Sequence, residues 1–477
     1  MKRFIYSLMI FIVFISLSVP ILADEAFTVK NSVIKSNEDH LSINIATPYF
    51  QGFKSADMVN ALIRSLIVDS VGDARLNAKL NKQEDEEWIK QGQESLIKDT
   101  TLDIFYDYSM SCNILSVYLH TYYYSGGAHP INWINSITIN TLTGEVYSFK
   151  DLFKDSASAS KLIQDKIIAK IEENPQPFFA EYKETIKDRN GEFNFYFYGN
   201  ELIVYFGIYD IAPYSSGTSY FVFKANEIKE ILKPEIYDSI NISKSNGTIY
   251  LNGNDINSKS DPYIDNDGII MVPLRAIAEA LKYKVDWNKK DGAIVAGGFI
   301  KNGVDSYYMT NKKPIKIAKA IVTNGVTFVP IQYFTQVLEE NVSYGNDNII
   351  RIFSKDTLSY GFNDLVVEFE NPSDLKSAVE MYAKSVKERN GAIQFGLMDR
   401  DNRMANYSNL NELNFVTGVS SPWIDSYEIL STGDNSFRIT FHLKTSNPKD
   451  VITMTSDIKL IEDGFTFRIE SLVNSNY

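Results

Sequence analysis

Tyr122-Tyr123-Tyr124-Ser125-Gly126-Gly127-Ala128-His129-Pro130 separates two alternating segments, residues 114–124 and 134–140. Alternation of apolar and polar side chains is the period of a half-buried strand. Gly126 and Gly127 supply backbone freedom where a chain must reverse. The stretch therefore predicts a hairpin corner, and with it an antiparallel sheet. Outward from it, residues 27–34, 41–46 and 101–108 read as further strands. Met58, Leu62, Ile63, Leu66 and Ile67 recur at helical spacing, and the charged run 82–90 reads as a solvated helix face. Thr143-Gly144 marks a tight turn. Lys150-Asp151-Leu152-Phe153 opens a mixed helical region, and strands at 193–197, 202–206 and 219–223 follow. Strands and helices segregated in this way predict an α+β fold.

The chain has 477 residues, 44% of them hydrophobic and 22% charged, which are globular values and allow several packed cores. Lys2 and Arg3 precede an apolar run broken by Ser16, Ser18 and Pro20, so residues 1–23 are expected to be a cleaved signal peptide. No later run is long enough to span a bilayer, so no transmembrane segment is expected after cleavage. The expected location is secreted or extracellular, in association with a cell wall. The formal charge is −13, and removal of Lys2 and Arg3 makes it more negative. That argues against nucleic acid and anionic membranes and accommodates a cationic partner. Cys112 is the single cysteine, so no intramolecular disulfide forms; its neighbours Met110, Ile114 and Leu115 suggest a buried small hydrophobe.

Three modules are expected after the leader: residues 24–240, 241–355 and 356–477, each a mostly antiparallel sheet with packed helices. The second contains an internal repeat. Gly268-Ile269-Ile270-Met271-Val272-Pro273-Leu274 corresponds to Gly325-Val326-Thr327-Phe328-Val329-Pro330-Ile331 at an offset of 57 residues. The same offset aligns Val285 with Val342 and Trp287 with Tyr344. Each copy reads as a strand, a proline opening a helix, then a short strand, and the two copies are expected to share one core. In the third module Ala378, Met381, Tyr382, Ser385 and Val386 mark a helix face, a second short helix is expected around Phe395 and Leu397, and four strand candidates follow.

Four motifs of the first module carry a resemblance. They are Tyr124-Ser125-Gly126-Gly127-Ala128-His129-Pro130, Asn140-Thr141-Leu142-Thr143-Gly144-Glu145, Lys150-Asp151-Leu152-Phe153 and Ile211-Ala212-Pro213-Tyr214-Ser215-Ser216-Gly217. Their order and spacing resemble the paired bacterial extracellular domains of unknown function in lysozyme-sensing anti-sigma factors, which also precede some peptidoglycan deacetylases. The second module, through Val272-Pro273-Leu274-Arg275-Ala276-Ile277-Ala278-Glu279-Ala280-Leu281 and Val285-Asp286-Trp287, resembles the copper amine oxidase N-terminal-like domain. Gln332 departs from that pattern, and the module holds neither His nor Cys for copper, so it reads as a stalk or spacer. The third module is similar in pattern to the NTF2-like (cystatin-like cone) fold.

Candidate chemistry is sparse. His40, His120, His129 and His442 make no ligand pair at helical or strand spacing, so no metal or other cofactor is expected. His129 admits two readings: an imidazole facing a ligand, or a hairpin corner hydrogen-bonding its own loop. The acidic loop 261–268 fails the calcium-loop pattern at Tyr263 and Leu274 and reads as a turn. The carboxylates Asp103, Asp107, Asp399 and Asp401 read as solvated surface. Tyr214 beside Pro213 sits in a Gly/Ser-rich loop and is the expected exposed aromatic anchor; the resemblance to the sensor ectodomains implies that loops of this kind engage lysozyme, and it reaches only Pro213 and Tyr214 directly. The candidate binding residues are thus Gly126, Gly127, His129, Pro213 and Tyr214, with no catalytic residue. The expected function is a secreted, non-catalytic envelope protein recognising a cell-wall component or a lysozyme-like protein. The alternatives are a hydrolase of wall glycan or peptide and a purely structural surface protein.

Overall fold

The structure is a computed structural model and describes residues 27–95, 97–241, 249–251, 254–256, 258–265, 269–308, 313–338, 340–344, 350–353, 361–418, 421–445 and 452–475. The expected leader lies outside these residues. No described helix is long and apolar enough to cross a membrane.

β1 (Thr28–Glu38) and β2 (Leu41–Gln51) form a hairpin turned at Asp39-His40, with His40 at φ 59°. α1 (Ala56–Lys90) then crosses over, and β3 (Thr100–Ser111) pairs parallel to β2. A parallel neighbour requires such a crossover. β4 (Ile114–Tyr124) and β5 (Ile131–Asn140) complete a five-stranded sheet in sequence order, with β5 at its edge. Val59, Ile63, Ile67 and Val71 bury one face of α1, while its last turns, the expected charged run, stay largely in solvent. Cys112 corrects the expectation of burial. It occupies the two-residue turn between β3 and β4 at φ 53°, and that turn points its side chain into solvent.

A second unit packs on the other face. It comprises α2 (Ser156–Glu173), α3 (Tyr182–Asp188), β6 (Asn194–Tyr198), β7 (Glu201–Phe206), β8 (Ser219–Lys224) and α4 (Pro234–Ile240). β6, β7 and β8 form an antiparallel sheet around an aromatic-rich core with Phe149, Phe197, Phe206 and Phe223. Tyr118 of β4 stacks on Tyr196 of β6 at 4.2 Å between ring centroids, joining the two sheets.

The middle unit runs through β9 (Ile249–Leu251), β10 (Asn254–Asp255), β11 (Tyr263–Ile264), β12 (Ile270–Pro273), α5 (Leu274–Ala280), β13 (Val285–Asn288), β14 (Gly292–Val295) and β15 (Gly298–Ile300). It continues with β16 (Ser306–Tyr307), β17 (Ile315–Lys316), β18 (Ile321–Thr323), β19 (Val326–Pro330), β20 (Asn341–Tyr344) and β21 (Ile350–Phe353). The repeat is visible in its register. β12 and β19 pair antiparallel with Val272 opposite Val329, its own equivalent in the other copy. Val272, Ile277, Val329 and Phe334 share one core. The copies differ where the helices lie: α5 is α-helical, whereas Tyr333–Val337 winds as a single π turn.

The last unit holds α6 (Gly361–Val366), α7 (Leu375–Glu388), α8 (Gly391–Leu397) and α9 (Arg400–Glu412). These pack on the antiparallel sheet β22 (Trp423–Gly433), β23 (Ser436–Lys444), β24 (Ile452–Asp463) and β25 (Thr466–Ser475). Asp374, Asn390 and Asp399 each cap the helix that follows by accepting a backbone N–H. Its core is continuous with that of β1–β5 and α1: Val68, Val71, Phe369, Phe395, Phe415 and Ile469 belong to one buried cluster. Two glycines make this approach close. A Cβ on Gly72 would fall 2.8 Å from Phe369, and one on Gly396 would fall 2.7 Å from Val68. Asp69 of α1 receives both Arg403 and Arg468, each 3% exposed. The two ends of the chain thus fold onto each other across the middle unit in sequence.

Candidate functional site

In the β4–β5 connection Gly126, and not Gly127, takes the unusual backbone conformation expected of the pair. Gly126 sits at φ 95°, a conformation disfavoured by any side chain with a Cβ. The Tyr124 hydroxyl donates to the Gly127 carbonyl at 3.1 Å, and Asn81 of α1 donates its amide to the Ser125 carbonyl at 2.8 Å. Gly126 also lines a recess of about 200 Å³ with Asn81, Trp88 and Lys98. These contacts fix the loop and leave His129 at its far side.

The second loop follows β7. Asp210 accepts the Gly207 N–H at 2.8 Å and the Arg189 guanidinium at 2.6 Å, which clamps the loop base. Ile211 and Ala212 are buried, and the Ile211 carbonyl accepts the Phe179 N–H at 3.0 Å. Pro213 then enters a single turn, Tyr214–Ser216, closed by Gly217 at φ 64°. Tyr209 precedes the clamp at φ 68°, a rare conformation for an aromatic residue, and stands 54% exposed.

The two loops meet. His129 stacks on Tyr214 with centroids 3.8 Å apart and planes 25° from parallel. Its Nε2 lies 3.0 Å from the Tyr209 hydroxyl, and its Nδ1 lies 3.0 Å from the Pro130 carbonyl. A carbonyl can only accept, so Nδ1 carries a proton, and in the neutral ring Nε2 accepts from Tyr209. His129 contacts its own loop, as the hairpin-corner reading expects. The ring also builds a surface with an aromatic pair 80 residues away. With both nitrogens engaged, it has no free lone pair for a proton abstraction. Among the described residues its side-chain hydrogen bonds go to the Tyr209 hydroxyl and the Pro130 carbonyl and not to a carboxylate.

Of the five expected site residues, His129 and Tyr214 touch, and Pro213 precedes the turn that holds Tyr214; Tyr214 is not the exposed anchor expected but half-buried, because His129 covers its ring, and Tyr209 is the exposed aromatic residue. Gly126 and Gly127 shape the loop and do not enter the stack. Sequence reading missed Tyr209. Its signal was its position two residues ahead of the Ile211–Gly217 motif, in a loop that must carry aromatic side chains outward. Trp133 packs edge-on against Tyr123 at 6.2 Å and donates to Asn135, apart from this cluster.

The other histidines are dispersed. His40 contacts Asp99 at 2.9 Å, and His442 lies 3.7 Å from Glu428. His120 stacks on Phe105 at 4.9 Å, and burial holds its imidazole below the ordinary value. No group of three or more His, Cys, Asp or Glu converges among the described residues. Asp107 accepts from the Tyr118 hydroxyl at 3.1 Å, and Asp399 caps α9. Of the acidic loop at 261–268, residues 266–268 and with them the expected Asp-Gly turn lie outside the described residues; Asp265 accepts the Ile269 N–H at 2.9 Å.

Three segments match known families in the order expected. Residues 34–132 match the family described as Deacetylase PdaC, and residues 150–226 match the one described as Protein of unknown function (DUF3298). Residues 250–352 match the Copper amine oxidase N-terminal domain. Among solved structures, a DUF3298-family protein from Bacteroides fragilis is similar at 15% identity, covering 46% of this chain and 98% of that one, with a TM-score of 0.37. A DUF3298-family protein from Pseudomonas aeruginosa is similar at 14% identity, covering 45% and 97%, with a TM-score of 0.31. No curated protein matches. The deacetylase-type and DUF3298 matches indicate a bacterial envelope-associated protein of unknown function.

Proposed function

We propose that this chain is an exported, non-catalytic binding protein of the bacterial envelope, recognising a wall component or a wall-acting protein such as lysozyme. The leader at residues 1–23 is its export signal, and the first and last units, which share one core, act as a single body from which the middle unit branches rather than a spacer between them. The observation that carries this reading is the stack of His129 on Tyr214, buttressed by the Tyr209 hydroxyl. Rings with an apolar face and a polar tip are the side chains that concentrate binding energy at interfaces. Two separately braced loops hold this group in place before any partner arrives, which lowers the entropic cost of binding. The formal charge of −13 favours a basic partner such as lysozyme, whose association then slows as salt rises.

Isothermal titration of the chain lacking residues 1–23 against lysozyme and against purified peptidoglycan tests the proposal. Heat with at least one of them, reduced tenfold or more in affinity by Tyr214→Ala, is expected. No heat with either would refute it. Release of soluble products from labelled peptidoglycan would favour the hydrolase instead.

A further inference from the structure

A cleft of about 940 Å³ lies where the five-stranded sheet, the second unit and the last unit meet. Its volume is that of a small-ligand site, and junctions between packed units are where such sites form. Residues 134–138 of β5 and Asn194 and Phe195 of β6 line it. Both strands are at the edges of their sheets. Their edges are already partly occupied, because the Ile134 carbonyl accepts the Tyr205 hydroxyl, the Thr138 carbonyl the Tyr147 N–H and the Phe195 carbonyl the Ser136 hydroxyl, so recognition in the cleft falls to its side chains.

The charges in the cleft divide into two kinds. Most are spent within the protein. Arg403 is held by Asp69, Arg189 by Asp210 at 2.6 Å and Glu192 by Lys150 at 2.9 Å, and Asp463 stands 3.8 Å from Arg468. Arg400 and Asp188 are different. Each is exposed and lines the cleft, and neither has a hydrogen bond or ion pair among the described residues. Arg400 opens α9 in the last unit, and Asp188 ends α3 in the second unit. Of the acids beside Arg400, Asp399 is committed to capping α9, and Asp401 does not line the cleft. The cleft therefore presents an uncommitted guanidinium from one unit and an uncommitted carboxylate from another.

We propose that this cleft binds a short extended peptide with both ends free, its carboxylate on Arg400 and its ammonium on Asp188. A guanidinium matches a carboxylate in a forked geometry, and a carboxylate on the other wall excludes an acylated amine. This site is separate from the His129–Tyr214 stack and does not depend on that surface binding a partner.

The test uses the full chain lacking residues 1–23 and free-ended oligoalanines from dialanine to hexaalanine, by titration calorimetry. The expected result is saturable binding with a preferred length. N-acetylation or C-amidation of the preferred peptide should each weaken it about tenfold. Arg400→Gln should abolish the penalty of amidation only, and Asp188→Asn that of acetylation only. Both positions are exposed, and unchanged near-ultraviolet circular dichroism confirms folding. Tyr214→Ala should leave peptide binding unchanged, so loss of envelope-partner binding in that variant with peptide binding intact separates the two readings. No saturable binding at any length, equal affinity for blocked and free peptides, or binding of neutral chito-oligosaccharides at the same site in both charge variants would overturn the proposal.

Discussion

Replacing Asp69 by Ala probes the seam between the two ends of the chain. The carboxylate accepts from Arg403 at 2.8 and 2.9 Å and from Arg468 at 3.0 Å. Both arginines are 3% exposed, whereas Asp69 is 44% exposed. Burial holds the Arg468 guanidinium below its ordinary value, and the neighbouring Arg403 charge lowers it further. Without Asp69, Arg403 keeps the carbonyls of Phe395 and Gly396, and Arg468 keeps Asn371 and Thr466. Two buried like charges then lose their shared counter-ion. Breaking a buried pair costs about 3–5 kcal/mol, and water reaching the Asp69 site sets the loss near the low end, about 3 kcal/mol. For a core of this size that lowers Tm by about 6–12 °C. Differential scanning calorimetry of the chain and of Asp69→Ala measures it. Asp69→Asn retains an acceptor and should fall between them. A shift below about 2 °C would refute the reasoning, because the arginines would then not need that carboxylate.

Gly72→Ala places a Cβ 2.5 Å from Asn371 Oδ1 and 2.8 Å from Phe369 Cε1, so urea unfolding should show a loss of about 1–3 kcal/mol. His120 has a folded pKa below its unfolded value, so its neutral form is favoured in the fold. Stability should fall as pH drops through the unfolded value near 6.5, level off below the folded value, and lose this component in His120→Gln, as urea titrations from pH 8 to 5 would read. Tyr209→Phe removes the hydroxyl on His129 Nε2 but keeps the ring. Nitrogen-15 correlation spectra should show a single Nδ1–H tautomer in the parent chain and a mixed or averaged imidazole in the variant.

The elements with clear periodicity were legible in the sequence. The helical spacing of Met58 to Ile67 became α1, and the strand at residues 114–124 became β4 with its turn at the glycines. The repeat announced the middle core, and the pairing of Val272 with Val329 follows from it. Local pattern does not encode what lies between distant segments. Asp69 and Arg403 carry no signal that they meet, because each reads as an ordinary surface charge. Gly72 and Gly396 sit inside helices, where glycine normally weakens a prediction, and only the approach of Phe369 and Asn371 to Gly72 and of Val68 and Phe369 to Gly396 explains them. α9 escaped notice because Arg400–Glu412 is mostly polar; its buried residues are Arg403, Tyr407 and Leu410. Cys112 misled because its neighbours alternate with the strand, while the turn itself does not. For the site, the motifs around His129 and Tyr214 were readable, but their convergence depends on two sheets packing through Tyr118 and Tyr196.

A double-mutant cycle at His129 and Tyr214, read as affinity for whichever of lysozyme or peptidoglycan the parent chain binds, tests most directly whether these loops form one recognition surface. The account predicts that each alanine substitution weakens binding and that the pair weakens it less than the product of the two, with a coupling of about 0.5–3 kcal/mol. Independent effects that simply add, or unchanged affinity in the double variant, would contradict it.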